Sequence, residues 1–178
     1  MKYIIAIISL SISIWGYGQT QRSKDSMNFQ TINRGSYSIQ YPLAWIIDTS
    51  KQFGSDLFLL SPNESEMDKF KENVNVMIQN LKGLNLDLDK FVLLSENQIK
   101  TYITNGKIIE SKRINQNGLE FHKLIYSGTQ GAFSLKTEQY YFIKGEKAFV
   151  VTFVSEDNQF DKYKVTGEAM LQSFKIKE

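Results

Sequence analysis

The sequence predicts an α+β domain in which an antiparallel sheet carries amphipathic helices. Residues 107–127 and 132–155 each contain two β-prone segments joined by a short turn, and strands joined in this way pair antiparallel. Residues 88–103 and 160–174 repeat apolar side chains at helical spacing, so each needs a sheet face to cover its apolar stripe. We therefore expect a central antiparallel sheet of about six or seven strands, flanked by a long middle helix and a C-terminal helix.

Three strands are predicted before the long middle helix. Residues 37–41 alternate apolar and polar side chains with the period of two of a half-buried strand, and Pro42 ends it. A short apolar run over 56–61 is typical of a buried strand, and residues 74–81 indicate a third. The segment between them, 62–73, is charged and is predicted to be a loop.

Capping residues mark the ends of the two predicted helices. Asp87 or Asp89 can accept hydrogen bonds from the first free backbone N–H groups of the middle helix. An Asn-Gly pair at 105–106 is typical of a helix end. Asp157 or Asn158 is placed to cap the C-terminal helix in the same way as the aspartates of the middle helix.

The turn of the first hairpin is a second Asn-Gly pair, Asn117 and Gly118. This pair is the strongest short hairpin signal because both residue types tolerate positive φ. Residues 144–146 join the strands of the second hairpin. Both pairs of strands are therefore predicted to be neighbours in the sheet.

Residues 1–18 have the three parts of a secretory signal peptide. Lys2 supplies a positive charge, residues 3–15 are mostly apolar, and the small residues Gly16 and Gly18 precede a polar stretch. A membrane anchor is the alternative, but a helix that spans a bilayer needs about 20 predominantly apolar residues. We therefore expect cleavage after Gly18, and export to the periplasm or the medium with no stable membrane span afterwards.

Removal of residues 1–18 would leave 160 of the 178 residues, which suits one domain. Residues 19–34 are polar and patternless, so we expect a flexible tether there and a single domain over 35–178. Loss of Lys2 reduces 21 basic residues to 20, against 19 acidic ones. Near neutrality, without blocks of like charge, argues against a nucleic-acid-binding protein. Cysteine is absent, so the domain is expected to depend on packing.

Several short motifs, in their order and spacing, resemble those of PsbP-like domains. An extended segment that ends in Tyr-Pro with Trp45 close behind resembles the opening of these domains. Residues 72–76 are similar to the family's third-strand motif, and residues 86–91 are similar to the entry to its long helix. Residues 172–176 are similar to its closing helix-to-strand turn. The similarity extends from about Gly35 to the end of the chain.

The resemblance implies an α/β/α sandwich around a central antiparallel sheet. It implies interaction roles rather than a shared active site, because members of the family include an extrinsic subunit of photosystem II, a Ran-binding nuclear-import factor and exported bacterial proteins. Fold alone is a weak basis for assigning an activity. We therefore expect a non-catalytic monomer that docks onto an unknown protein partner in the cell envelope.

The sequence offers little for metal or cofactor chemistry, and we expect neither. Zinc sites need clusters of Cys and His, whereas the chain has no Cys and one histidine, His122. His122 lies in a predicted strand and is interpreted as a surface or hydrogen-bonded sheet residue. Asp87 and Asp89 lack the glycine and the distal glutamate of a calcium loop, so helix capping explains them.

Catalytic motifs are also missing from the sequence. No Gly-x-Ser-x-Gly motif accompanies His122, and no glycine-rich phosphate loop occurs. The acidic residues of the predicted loop alternate with lysines and are interpreted as a solvated segment; they are Glu64, Glu66, Asp68 and Glu72. A hydrolase with dispersed groups remains an alternative, and its candidate residues are Glu64, Asp68, Asp87 and His122. A carrier of a small apolar ligand is a second alternative, suggested by the 13% aromatic content.

Three aromatic residues are the candidates for a partner-binding surface. Trp45 is the first, although core packing explains it better because aromatic side chains dominate core area. Tyr140 and Tyr141 are adjacent in a predicted strand and therefore point to opposite faces. One of them is predicted to be exposed and to serve as the docking aromatic, unless helices cover both faces of the sheet.

Overall fold

The computed structural model describes residues 28–116 and 118–177 of the chain. These residues contain ten strands and two α-helices. The helices are α1 (Leu88–Tyr102) and α2 (Phe160–Gln172). The strands are β1 (Phe29–Asn33), β2 (Tyr37–Pro42), β3 (Ile46–Asp48), β4 (Leu57–Leu60), β5 (Asn73–Asn80), β6 (Thr104–Gln116), β7 (Leu119–Gln130), β8 (Phe133–Lys144), β9 (Lys147–Glu156) and β10 (Lys175–Ile176). The predicted signal peptide lies outside the described residues.

Seven strands form one antiparallel sheet in the order β3-β4-β5-β9-β8-β7-β6. The two predicted hairpins are its longest pairs: Ile114 lies opposite Phe121 in β6–β7, and Phe142 lies opposite Phe149 in β8–β9. The α+β class, the antiparallel sheet of seven strands and the two helices are therefore confirmed. Two strands of this sheet, β4 and β5, correspond to the predicted runs at 56–61 and 74–81.

A second, three-stranded sheet has the order β1-β2-β10. The flexible tether predicted over 19–34 is wrong for its described part, because Phe29–Asn33 is β1 and pairs along its whole length with β2. The strand is held mainly by backbone hydrogen bonds to β2, which do not require alternating apolar side chains. Within β1, Phe29 and Ile32 are the residues that pack against the core. Residues 19–27 of the predicted tether lie outside the described residues.

The two helices cover opposite faces of the large sheet. Successive strand residues point to opposite faces, and adjacent residues of β8 and β9 divide between two hydrophobic clusters. The cluster on the α2 face contains Tyr140 and Phe149, together with α2 and the small sheet. The cluster on the α1 face contains Tyr141 and Val150, together with α1. Both faces at the centre of the sheet are therefore buried.

The helix ends show which capping predictions were correct. Asp87 caps α1, since its Oδ1 accepts a hydrogen bond of 2.8 Å from the Lys90 backbone N. The prediction for α2 is wrong: Gln159 is its N-cap and makes no side-chain capping bond. The backbone N of Asp157 donates a hydrogen bond to the Ser134 carbonyl of β8. Asp157 is therefore held at the end of the sheet, two residues before the N-cap of α2.

The β6–β7 turn requires a residue that tolerates positive φ, and Gly118 has φ of 79°. Asn117, predicted to share this conformation, lies outside the described residues. We expect Gly118→Val to lower the free energy of unfolding by about 1–3 kcal/mol, because a β-branched residue is strained there. Urea denaturation measures the change, with Leu119→Val in the adjoining strand as the control. An unchanged midpoint for the Gly118 variant would contradict this turn.

Candidate functional site

The predicted docking aromatics of β8 are both buried. Tyr140 is 3% exposed and Tyr141 is 1% exposed, so the prediction that one of them meets solvent is wrong. The Tyr140 ring lies 4.7 Å from the Phe121 ring on the α2 face, and the Tyr141 ring lies 5.5 Å from the Phe91 ring of α1. Because helices cover both faces at this point, neither tyrosine is available to a partner in the folded domain.

Trp45 also belongs to the core. It is 7% exposed and packs in the same cluster as β2 and α2. Core packing was the favoured interpretation of this residue, and it is confirmed. The three aromatics singled out in the sequence therefore stabilise the fold, and a docking surface has to be sought elsewhere.

His122 is held in a hydrogen-bonded chain between the sheet and α1. Its Nε2 lies 2.8 Å from the Ser111 hydroxyl of β6, and this hydroxyl donates a hydrogen bond of 2.6 Å to Glu96 Oε1 of α1. The interpretation of His122 as a hydrogen-bonded sheet residue is confirmed. Burial, with the positive charge of Arg113 as a second cause, lowers the pKa of the His122 imidazole.

The same three residues do not have the connectivity of a serine hydrolase. In a catalytic triad the carboxylate binds the imidazole, and the imidazole accepts the serine proton. Here the serine proton is directed to Glu96, so Ser111 Oγ accepts a hydrogen bond from the Nε2–H of an uncharged His122 imidazole. An imidazole nitrogen that donates to the hydroxyl cannot act as its general base.

Lys123 forms a buried charged cluster on the α2 face. Its Nζ lies 3.0 Å from Oε1 of the fully buried Glu138 of β8, and 3.4 Å from Glu168 Oε1 of α2. Burial opposes the charge of Lys123, but the two carboxylates outweigh it and raise the pKa of its ammonium. Burial raises the pKa of the Glu138 carboxyl as well. This cluster joins β7, β8 and α2.

Glu72 was predicted to lie in a solvated loop, and this prediction is wrong. The side chain is buried, because Glu72 directly precedes β5 and enters the sheet with it. The hydroxyls of Ser61 and Ser155 donate to its two carboxylate oxygens over 3.4 and 3.3 Å. Burial raises the pKa of this carboxyl. The signal in the sequence was its two-residue spacing from Val74, which continues the inward alternation of the strand.

The remaining acidic candidates make structural contacts. Lys162 and Tyr163 of α2 both donate to Glu64 Oε1. Asp68 accepts from the Glu64 backbone N over 2.9 Å and thereby closes the loop. Asp87 caps α1. Within the described ranges, His, Asp and Glu side chains form no group of three that could hold a metal ion.

An open groove of about 450 Å³ lies between the β5–α1 segment and the β8–β9 turn. Lys90, Asp87 and Glu146 bring charge to it, and Lys90 Nζ donates to the Asn85 carbonyl over 3.3 Å. Its other lining residues include Leu81, Leu86, Gly83 and Gly145. Ligand pockets for apolar molecules are concave and mostly apolar, so this groove does not favour an apolar-ligand carrier.

An exposed apolar surface lies at β3, one of the two edge strands of the large sheet. Leu43, Ile46 and Ile47 are 59%, 50% and 42% exposed, and we call these three residues the β3 edge. Ile46 and Ile47 are consecutive in the strand, so their side chains point to opposite faces. Both faces of β3 are therefore partly exposed. Sequence reasoning missed it because a strand of three residues shows no period.

No protein-family model matches the chain, and no curated protein sequence matches it significantly. Solved structures do resemble it. The cyanobacterial PsbP (CyanoP) of Synechocystis sp. PCC 6803 is 14% identical with a TM-score of 0.64, and the match covers 89% of this chain and 98% of CyanoP. LpqN of Mycobacterium tuberculosis, described as involved in cell envelope biogenesis, is 11% identical with a TM-score of 0.59, covering 85% and 91%.

A third solved structure has the same architecture. PA94 of Pseudomonas aeruginosa, a protein of unknown function described as a putative regulator, is 11% identical with a TM-score of 0.59 over 82% of this chain and 94% of that one. Neither α1 nor α2, the helices of the described part, is long and apolar enough to cross a bilayer. Identities this low speak for the fold alone, and the chain has the PsbP-like fold that its sequence motifs resembled.

Proposed function

We propose that this protein is an exported, non-catalytic protein of the PsbP-like type that docks through the β3 edge onto a protein partner in the cell envelope. The observation that carries the proposal is the exposure of Ile46 and Ile47 on an outer strand. An α/β/α sandwich belongs to the same proposal, supported by the position of α1 and α2 on opposite faces.

The β3 edge suits the addition of a strand from a partner. Among the strands of residues 28–116 and 118–177, β3 pairs with β4 alone, so its other side can exchange backbone hydrogen bonds with an added strand. Soluble proteins commonly protect such edges with charges, whereas Ile46 and Ile47 are aliphatic on both faces. A partner strand would cover these side chains while its backbone pairs with β3. An extended apolar segment is therefore the chemistry that this surface fits.

The geometry of the polar groups supports a non-catalytic role. The single histidine is bound to a serine hydroxyl in an arrangement unsuited to general-base catalysis, and the acidic candidates are tied into caps, turns and ion pairs. The described involvement of LpqN in cell envelope biogenesis supports the envelope as the place of action.

Site-specific crosslinking tests the docking proposal. A photo-crosslinking residue is placed at position 47. The control is position 93 of α1, where Leu93 is somewhat more exposed than Ile47 but lies on a helix. In native envelopes we expect a discrete crosslinked species from position 47 that is absent from position 93. Ile46→Lys should reduce its yield about tenfold, the effect of a loss near 1.4 kcal/mol in binding. Equal crosslinking from the two positions would contradict docking at β3.

Export makes a separate prediction about the mature chain. The intact mass of the protein recovered outside the cytoplasm is expected to correspond to residues 19–178, because cleavage should follow Gly18. Mass spectrometry of the periplasmic and culture fractions measures it. Recovery of the full-length chain in the membrane fraction would instead support the retained anchor.

A further inference from the structure

His122 lies where α1 packs on the sheet, and charged groups from α1 and β6 face it. Glu96 and Asp89 approach from α1, and Ser111 and Arg113 approach from β6. Arg113 is the residue directly opposite His122 in the β6–β7 ladder. On the other side, Tyr141 of β8 is the opposite residue, and its hydroxyl donates to Gln139 Oε1.

The nearby anions already have partners. Arg113 Nη2 donates to Asp89 Oδ1, and Arg113 Nε lies 3.8 Å from Glu120 Oε1 of β7. Glu96 Oε1 accepts the Ser111 hydroxyl. A proton added to His122 would therefore place a second positive charge beside Arg113, in a position that is 9% exposed. Like charges directly opposite each other across a ladder are destabilising, and burial increases the cost.

We propose that α1 is an acid-sensitive cover of the sheet: uncharged His122 holds it in place, and protonation of His122 loosens it. The device is independent of docking at the β3 edge, because β3 contributes no residue to the cluster beneath α1. Loosening of α1 exposes the apolar face that it covers, which includes Leu124, Tyr126 and Val150.

The direction of the pH effect follows from the lowered pKa of His122. An unfolded histidine titrates near pH 6.5, so the folded state loses stability as the pH falls below about 6.5 and through the lower folded pKa. The raised pKa values of the Glu72 and Glu138 carboxyls act in the opposite direction, because their contribution is lost as the pH rises. Those two groups lie away from α1, and Glu138 faces α2 through Lys123.

Hydrogen exchange separates the two helices. We compare the protection of peptides 88–102 and 160–172 at pH 7.5 and 5.5, corrected for intrinsic exchange rates. In the wild type the protection of α1 should fall relative to that of α2 at pH 5.5, because the packed helix disfavours the charged imidazole of His122. In His122→Gln, whose amide can still donate to Ser111, the relative loss should disappear. An equal loss in both proteins, or no loss in the wild type, overturns the proposal.

A second measurement does not depend on the variant's folding. His122 is the single histidine in the sequence, so its imidazole C–H resonance in the NMR spectrum is unambiguous. Its titration in the wild-type protein should give a pKa below 6.5, and the amide resonances of α1 should change with the same midpoint. A pKa at or above 6.5, or α1 resonances that do not follow the imidazole, overturns the proposal.

Discussion

Gly167→Leu is expected to lower the free energy of unfolding by about 3 kcal/mol, the upper end for overpacking a core. Gly167 lies in α2 against Phe153 of β9, and a Cβ at this position would come within 2.6 Å of the phenyl ring. Phe153 is fully buried, so its ring cannot turn away into solvent. The helix must therefore move off the sheet. Leucine has a higher helix propensity than glycine, which offsets this loss by at most about 1 kcal/mol. The unfavourable packing is therefore expected to be the larger effect.

Urea denaturation followed by tryptophan fluorescence measures this loss. Trp45 is buried and is the single tryptophan of residues 19–178, so its emission reports on the core. Val165→Leu is the matched control, because Val165 lies in the same helix but is exposed. It should change the unfolding free energy by less than about 0.5 kcal/mol. Equal midpoints for the two variants would contradict the close approach of α2 to β9.

The elements predicted from the sequence are those whose side chains repeat with a clear period. α1 shows the helical period and has Asp87 as its cap, and the β6–β7 hairpin turns at Gly118. The missed elements are β1 and β3, which are short and held by backbone pairing. β10 is also short, and only the resemblance of residues 172–176 to a helix-to-strand turn indicated it. Backbone hydrogen bonds are the same for every residue except proline, so such strands leave little trace in a sequence.

The candidate site was harder to predict because exposure depends on more than one layer. The alternation of Tyr140 and Tyr141 correctly placed them on opposite faces, but whether both faces are covered depends on where α1 and α2 pack. The same limit applies to Glu138. Glu138 lies two residues before Tyr140 in β8, so the alternation predicts that its side chain also points inward. Its partner Lys123 lies in the neighbouring strand β7, and the sequence does not give the register between these two strands.

Lys123→Met is expected to cost about 3–5 kcal/mol, the loss typical of breaking a buried ion pair from one side. Methionine retains the apolar stem of lysine but removes the ammonium that lies 3.0 Å from Glu138. Glu138 is then left fully buried without its counter-charge. Lys112→Met is the matched control, since Lys112 lies directly opposite Lys123 in the β6–β7 ladder but pairs with Glu110 at the surface. An exposed pair of this kind contributes at most about 1 kcal/mol.

Two further measurements separate the buried charge from lost packing. Burial already raises the pKa of Glu138, and loss of Lys123 raises it further, so the variant should regain stability as the pH falls and Glu138 takes up a proton. The double variant Lys123→Met with Glu138→Leu should be close to the wild type at pH 7.5, because an apolar pair replaces both charges. If the double variant is as unstable as the single one and acid gives no recovery, packing of the lysine stem explains the loss. Recovery in both experiments would show that the unpaired charge of Glu138 causes the loss of stability. Glu168 of α2, which also pairs with Lys123, then links the helix to the same ion-pair cluster.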